Sequence, residues 1–201
     1  MRSVRTRNPY LREFRRLEAR QGRRSGRLTA EAVRAHRTTL VQRYAWAVPS
    51  DEALDLLTRQ APLVEIGAGT GYWGWLLRQR GVEIALYDLA PPGGGDANPY
   101  HPSARCWTEV LPGGPEVLDS YPGRTLFLCW PPLNSGMAAA CLRGFRGQRL
   151  VYVGEERGGC NAEDAFFDEL EAGWQCVERL ALPCWPGTRD ALRAWERRTP
   201  A

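Results

Sequence analysis

The strongest chemical signal in this sequence is a glycine-rich turn at residues 64–71, which read VEIGAGTG. The turn follows a short apolar segment and precedes a predicted helix. Glycine lets the backbone approach a bound molecule closely, and a helix N-terminus offers unpaired N–H groups. Asp88 ends the next apolar segment, 21 positions after Gly67, where a carboxylate in a doubly wound sheet can accept both hydroxyls of a ribose. Together these features predict a site for a cofactor that contains adenosine.

Two cofactor classes compete for this site. The dinucleotide fingerprint G-x-G-x-x-G is matched by Gly69, Gly71 and Gly74, with Asp88 near the expected distance, which is the pattern of an NAD(P)-dependent oxidoreductase. In that register, however, the bulky Tyr72 and Trp73 crowd a turn that must admit a pyrophosphate. Glu65 also lies two positions before the first glycine of the turn, where a carboxylate repels a pyrophosphate and suits a cationic ligand.

The motif acidic-x-Gly-x-Gly-x-Gly after a first strand resembles that of the class I S-adenosylmethionine-dependent methyltransferases, and the resemblance covers about residues 60–198. It implies S-adenosylmethionine as cofactor. It also implies that Glu65 helps to hold the ammonium end of the cofactor through the loop and that Asp88 binds its ribose. The glycines that it implies beneath the methionine and ribose portions are Gly67, Gly69 and Gly71. The alternative is that Glu65 is a core carboxylate satisfied by backbone N–H groups and that the glycines only form a turn.

A second motif is residues 129–133, CWPPL, at the end of the predicted fourth strand. It resembles the Asp/Asn-Pro-Pro-aromatic motif of amino-group methyltransferases, with Trp130 replacing the polar residue and Leu133 replacing the aromatic one. Two prolines supply no N–H and can leave the Trp130 carbonyl directed into a pocket. The face of the Trp130 ring can lie near a sulfonium or a flat substrate; the alternative is an ordinary core tryptophan.

Further candidate residues follow the other predicted strands. Glu155 comes after the fifth strand, where it could orient a substrate or take its proton, or else cap a turn. His101 follows the second strand and could act as a general base, because histidine titrates near neutral pH. The resemblance implies that Trp107 contacts the adenine. The segment Tyr44–Pro49 could return over the cofactor as a lid.

The elements that must position these residues alternate in type. Residues 63–66, 84–87, 105–110, 126–130 and 150–153 are predicted strands, residues 71–80, 134–143 and 162–172 are predicted helices, and residues 174–182 and 191–196 are a predicted terminal hairpin. We therefore expect an α/β fold with a doubly wound, mostly parallel seven-stranded sheet of the Rossmann-like methyltransferase type and an antiparallel last strand. The predicted divisions are a basic arm at 1–28, N-terminal helices at 29–60 and a catalytic domain at 61–201.

The charge of the 201-residue chain is unevenly placed. All 27 cationic residues are arginine, and the formal net charge is +4. Residues 1–37 hold 12 Arg and 3 Glu, which gives +9 and leaves −5 for the rest of the chain. The predicted arm could pair with RNA phosphates or acidic lipid; the alternatives are a solvated helix face and a transit peptide. We expected this arm to be separable from the body.

Composition narrows the class of protein further. The six cysteines form no C-x-x-C pair and there are two histidines, so we expect no metal site and reduced thiols. No secretory or membrane-spanning segment is evident, and a cytoplasmic location is expected. The sequence thus predicts a methyltransferase that acts on N or O of a small molecule. The alternatives are an RNA methyltransferase that uses the arm, a non-catalytic nucleic-acid-binding protein on the same fold, or an oxidoreductase.

Overall fold

A computed structural model describes residues 6–22, 27–96, 98–102 and 104–199. It contains a seven-stranded sheet with the order β3-β2-β1-β4-β5-β7-β6. The strands are β1 (Leu63–Ile66), β2 (Ile84–Asp88), β3 (Leu111–Pro112), β4 (Thr125–Cys129), β5 (Arg149–Gly154), β6 (Trp174–Ala181) and β7 (Ala191–Arg197). Strands β1 to β5 are parallel, whereas β7 runs antiparallel to both β5 and β6. The predicted fold, with its antiparallel terminal hairpin, is confirmed.

Within the described residues, six α-helices cover the two faces of the sheet. They are α1 (Pro9–Gln21), α2 (Ala30–Arg43), α3 (Asp51–Arg59), α4 (Tyr72–Arg78), α5 (Met137–Gly144) and α6 (Asp164–Gly173), with a 3₁₀ helix at Pro115–Ser120. Side chains cap α2 and α3 at their N-termini, since those of Thr29 and Ser50 accept the N–H groups of Ala32 and Ala53. No helix of the described residues is long and apolar enough to cross a bilayer.

Strand residues alternate between the two layers of helices. On β1, Leu63 packs with residues of α1 to α4, whereas Val64 and Ile66 pack with residues of α5, α6 and the 3₁₀ helix. This follows from the two-residue period of a strand, and it explains why the central strands are apolar on both faces. Glu65 shares its face with Leu63, so its carboxylate is directed toward the layer that α1 to α4 form.

Helix α1 corrects the expectation of a separable arm for residues 9–21. Tyr10 and Phe14 are buried in the core, and Phe14 makes an edge contact with Trp185 at 5.0 Å between ring centroids. Trp185 Nε1 also donates to the Tyr10 hydroxyl at 3.0 Å. The helix is amphipathic, with its arginines on the outer face, and composition alone does not show which face is apolar. Residues 1–5 and 23–26 of the predicted arm lie outside the described residues.

The third strand is also placed differently from the prediction. It comprises Leu111–Pro112, which pair with the end of β2, rather than residues 105–110. The segment before it turns away from the sheet because the N–H of Trp107 donates to the Thr70 carbonyl at 2.8 Å, and the Trp107 ring packs against Tyr44 and Trp75. The apolar residues that suggested a strand therefore cover the glycine-rich turn.

Candidate functional site

A cleft of about 530 Å³ opens beyond the carboxyl ends of the parallel strands, the position where ligands bind in open α/β sheets. One half, which we name the β1–β2 side, contains Glu65, Gly67, Gly69, Asp88, Asn98 and His101. The other half, the β4–β5 side, contains Trp46, Cys129, Trp130, Pro132, Leu133, Cys160 and Asn161. Five distant segments of the chain therefore meet in one cleft.

The glycine-rich turn forms the floor of the β1–β2 side. Gly67, Gly69 and Gly71 all have positive φ angles, of 76°, 52° and 69°, which side chains rarely tolerate. A Cβ atom at Gly69 would lie 2.9 Å from Nε2 of His101. Both the positive φ angle and the lack of space thus require glycine at position 69. The predicted turn therefore lies in close contact with the His101 side chain.

Glu65 lies buried beneath this turn, with 1% of its surface exposed. Its Oε2 atom has no hydrogen-bond partner among the described residues. Burial, together with the charge of Asp88, raises the pKa of Glu65 well above its ordinary value of 4.5. The alternative, in which backbone N–H groups satisfy the Glu65 carboxylate, does not explain why Oε2 lacks a partner among the described residues. A cationic ligand in the cleft would supply the missing partner and favour the ionised form.

Asp88 connects the end of β2 to the glycine-rich turn. Its Oδ2 accepts the N–H of Gly69 at 2.8 Å, and its Oδ1 accepts those of Ala90 at 3.0 Å and the Asn98 amide at 3.2 Å. Burial raises the pKa of Asp88, and the N–H groups of Ala90 and Gly69 oppose that rise. A carboxylate has about four acceptor positions, so one remains for a hydroxyl in the cleft.

His101 covers the turn from the opposite side. It is 5% exposed, its backbone N–H donates to Asn98 Oδ1 at 2.9 Å, and its Nδ1 lies 3.4 Å from the Gln42 carbonyl. Burial lowers the pKa of His101 below 6.5, so the ring is neutral at pH 7. Its contact with Gly69 places it on the β1–β2 side of the cleft, away from the prolines that follow β4.

Trp130 is held in an unusual conformation on the β4–β5 side. Its φ angle is 53°, a region that bulky residues rarely adopt. Its Nε1 donates to Asp190 Oδ1 at 2.7 Å, and its ring stacks on Trp46 with centroids 5.2 Å apart and an interplanar angle of 17°. Burial raises the pKa of Asp190 to about 6. These contacts fix both indoles as one aromatic platform.

The carbonyls of the Trp-Pro-Pro segment differ in their partners. The Pro131 carbonyl accepts the N–H of Ala162 at 2.9 Å, and the Pro132 carbonyl accepts the hydroxyl of Ser135 at 2.9 Å. The Trp130 carbonyl accepts no hydrogen bond from the described residues. In this Trp-Pro-Pro segment, the Trp130 carbonyl is therefore the backbone acceptor that has no partner among the described donors.

Three predicted site residues, Gly71, Glu155 and Trp107, are not among the residues that line the cleft. A Cβ atom at Gly71 would lie 2.7 Å from Cγ2 of Val110. Glu155 accepts the N–H groups of Cys160 and Arg189, each at 2.8 Å. Burial alone would raise the pKa of Glu155, but these donors outweigh burial and lower it, so Glu155 joins the loop after β5 to the β6–β7 hairpin. Trp107 donates from Nε1 to the Arg43 carbonyl at 2.8 Å and packs in an aromatic cluster beside the cleft.

Asp190 and Trp46 were not among the predicted site residues. Asp190 follows Trp130 by 60 positions and is brought to it by the turn of the β6–β7 hairpin. Trp46 belongs to the predicted lid, Tyr44–Pro49, and three residues of that segment line the cleft: Tyr44, Ala45 and Trp46. The hairpin itself was predictable, but which of its turn residues points inward depends on the register of β7 against β5.

The charge of the cleft is distinctive. Arginine supplies every one of the chain's 27 basic side chains, yet no arginine is among the described residues that line the cleft, where the acidic residues are Glu65 and Asp88. The cleft is therefore apolar with an acidic floor. It offers no cationic group of the described residues to neutralise a phosphate.

Comparisons with known proteins bear on the fold. No protein-family model and no curated protein matches the sequence. Among solved structures, the chain is similar to a Burkholderia thailandensis 1,6-didemethyltoxoflavin-N1-methyltransferase with bound 1,6-didemethyltoxoflavin and S-adenosylhomocysteine. The identity is 15%, the coverage is 94% of this chain and 88% of that one, and the TM-score is 0.50.

Two further structures resemble the chain at lower TM-scores. One is the magnesium protoporphyrin IX methyltransferase of Synechocystis with bound S-adenosylhomocysteine, at 13% identity, 93% and 95% coverage and a TM-score of 0.46. The other is a Streptococcus pneumoniae protein, described as a candidate tRNA (m1A22) methyltransferase, in complex with S-adenosylmethionine, at 16% identity, 75% and 74% coverage and a TM-score of 0.48. The strand order and the likeness to the Burkholderia enzyme show that the chain has the class I methyltransferase fold.

Proposed function

We propose that this protein is an S-adenosylmethionine-dependent methyltransferase that transfers a methyl group to N or O of a small molecule. The observation that carries the proposal is the buried Oε2 of Glu65, which lacks a partner among the described residues beneath a turn of three positive-φ glycines. A cofactor with an ammonium group and a sulfonium group supplies the positive charge that this carboxylate requires. A dinucleotide would instead bring a pyrophosphate toward it, which disfavours an oxidoreductase.

The residues of the β1–β2 side fit such a cofactor. Gly67, Gly69 and Gly71 let the chain pass close beneath its methionine and ribose portions, and Asp88 keeps an acceptor position for a ribose hydroxyl. Glu65 is proposed to act on the ammonium end. His101 covers the same half, so we assign it to enclosing the cofactor in preference to general base catalysis.

The β4–β5 side is proposed to hold the acceptor. When bound, S-adenosylmethionine would supply an electrophilic methyl group to the acceptor's lone pair, with the carbon–sulfur electron pair left on sulfur and the proton of an N–H or O–H acceptor released to solvent with the product. The chain's part is to exclude water and to align the acceptor. Trp46 and Trp130 form the wall for this purpose, and the Trp130 carbonyl can accept a hydrogen bond from an acceptor N–H or O–H. Glu155 is a positioning residue because both its oxygens are occupied.

A small acceptor is favoured over RNA by the charge of the cleft. An RNA strand needs cationic side chains along its phosphates, and the described residues that line the cleft include no arginine. The arginines of α1 lie on its outer face. The second candidate function is RNA methylation, or nucleic-acid binding without catalysis. Either activity would use the arginines on the surface of the N-terminal helices to bind phosphates.

Calorimetry tests the cofactor. We expect S-adenosylmethionine and S-adenosylhomocysteine to bind with micromolar Kd and NADH to show no heat of binding at the same concentration. Binding of NADH in place of S-adenosylhomocysteine contradicts the proposal. Methyl transfer from labelled S-adenosylmethionine into metabolite, RNA and protein fractions then identifies the class of acceptor, and label in RNA would overturn the small-molecule assignment.

A further inference from the structure

We infer that the acceptor is an uncharged, planar aromatic compound whose ring stacks against the Trp46–Trp130 platform. The inference deepens the proposed function, because it rests on the β1–β2 side being occupied by the cofactor and assigns a chemical class to the ligand of the β4–β5 side. Its basis is the shape, the charge and the polar groups of that side.

The platform is rigid and partly open to the cleft. Trp46 and Trp130 both line the cleft and both keep part of their surface exposed, although their rings are stacked and Trp130 is anchored to Asp190 at 2.7 Å. A tryptophan held at a φ angle of 53° is strained, and such strain is retained where surrounding contacts impose it, commonly at binding sites. Stacked or edge contacts with a third aromatic ring raise affinity by about twofold to tenfold beyond the burial of area.

The polar groups on this side are already engaged. Asn161 donates to the Tyr152 hydroxyl at 2.8 Å and accepts the N–H of Glu155 at 3.0 Å. Cys129 is half-buried, and desolvation raises the pKa of its thiol well above 9. The β4–β5 side thus offers aromatic rings, Pro132, Leu133 and uncharged thiols, with little to solvate a charged ligand.

The entrance of the cleft is apolar as well. Leu89, Tyr100 and Leu133 line it and are exposed by 71%, 42% and 46%. Arg37 lies outside the lining, with its guanidinium carbon 6.0 Å from the centre of the Trp130 ring, and its charge acts on Asp190, whose pKa it lowers. A carboxylate on the acceptor would therefore find a cationic partner only outside the lining, at Arg37, whose Nε is buried without a partner among the described residues. Within the lining it would face the carboxylates of Glu65 and Asp88.

Three ligands of similar size test the inference: 2-naphthol, which is flat and uncharged; 2-naphthoate, which is flat and anionic; and 2-decalol, which is uncharged and saturated. With saturating S-adenosylhomocysteine at pH 7.5, calorimetry should show 2-naphthol binding at least fivefold more tightly than 2-decalol and at least twentyfold more tightly than 2-naphthoate. If 2-naphthoate binds as tightly as 2-naphthol, the inference that the acceptor is uncharged is wrong. If 2-decalol binds as tightly as 2-naphthol, the inference that the acceptor stacks on the platform is wrong.

Variants locate the contact. Trp46→Leu should weaken 2-naphthol binding at least fivefold, Trp46→Phe should restore most of it, and Trp75→Leu, at another partly exposed tryptophan outside the cleft, should leave it unchanged. Unchanged binding in Trp46→Leu contradicts the inference. The Kd of S-adenosylhomocysteine is measured separately for each protein. If S-adenosylhomocysteine does not bind to the wild type, the proposed function is wrong, whatever the result for 2-naphthol. The binding of 2-naphthol to each variant is also measured without S-adenosylhomocysteine. Stacking on the platform is then tested whether or not S-adenosylhomocysteine binds.

Discussion

The two halves of the cleft are built on different principles. The β1–β2 side is made largely from backbone and two carboxylates within residues 65–101, so its geometry is encoded in a continuous motif. The β4–β5 side is made from side chains at positions 46, 129–133 and 160–161, and it is fixed from behind by Asp190. The half of the cleft proposed to bind the cofactor is therefore formed by residues that are close in sequence. The half proposed to bind the acceptor is formed by long-range packing.

The largest expected effect is on the β1–β2 side. Asp88→Ala should weaken S-adenosylhomocysteine binding at least a hundredfold, because it removes the acceptor of the ribose hydroxyl and also the group that holds the Gly69 N–H; hydrogen bonds to charged groups are each worth about 1.5–3 kcal/mol. Calorimetry measures the loss. Asp119→Ala, at an exposed carboxylate, is the control, and a similar Kd in both variants would break the distinction between the two halves.

Glu65→Gln should have the second largest effect, about a tenfold loss in cofactor affinity. It should also change the pH dependence of stability in the cofactor-free protein. Since burial raises the pKa of Glu65 above 4.5, the folded state keeps a proton that the unfolded state loses, and wild-type stability falls as pH rises through that window. Thermal denaturation between pH 4.5 and 8 should therefore show the Tm of Glu65→Gln gaining on the wild type as pH rises. A constant Tm difference would show that Glu65 finds a partner without the cofactor.

A smaller effect is expected on the β4–β5 side from Asp190→Asn. Burial raises the pKa of Asp190 to about 6, so the wild-type carboxylate should lose its charge beside the Trp130 indole as pH falls through 6. The amide oxygen of asparagine still accepts the indole N–H but does not titrate. We expect a tryptophan fluorescence transition with a midpoint near pH 6 in the wild type and none in the variant, with cofactor affinity unchanged at pH 7.5. A transition that persists in Asp190→Asn has another source.

The smallest effect is expected outside the cleft. Replacing Arg15 and Arg16, which are exposed on α1, by Gln should change the free energy of unfolding by no more than about 0.5 kcal/mol each. It should leave both cofactor and acceptor binding within twofold. If the double variant instead loses both a salt-sensitive affinity for RNA and methyl transfer, that result supports RNA methylation. The acceptor site would then include the surface of α1 as well as the β4–β5 side.

The fold and the β1–β2 side could be predicted from the sequence for a physical reason. Strand periodicity, the glycines of the turn, Glu65 in β1 and Asp88 at the end of β2 are local features, which a sequence shows directly. The mostly parallel seven-stranded sheet and its antiparallel terminal strand followed from them through the resemblance to a known fold, and the structure confirms both.

The remaining features depend on contacts between distant residues. The pattern of residues 105–110 predicts a strand that contains Trp107, but the Trp107 ring packs against Tyr44 and Trp75, and nothing in residues 105–110 encodes that packing. Glu155 was a reasonable candidate by position, yet its carboxylate accepts the N–H of Arg189, which is 34 residues away. The Trp46–Trp130 pair likewise needed the α2–α3 connection to return over β4, and sequence spacing does not determine such a return.

The hydrogen bond between Tyr10 and Trp185 joins residues 175 positions apart. During synthesis, Trp185 emerges 175 residues after Tyr10, whereas Tyr44 and Tyr72, which also contact the Tyr10 ring, emerge much sooner. Native contacts of such long range close late and slow the folding of a chain. The side of Tyr10 and Phe14 that faces Trp185 therefore stays uncovered until the β6–β7 hairpin has been translated.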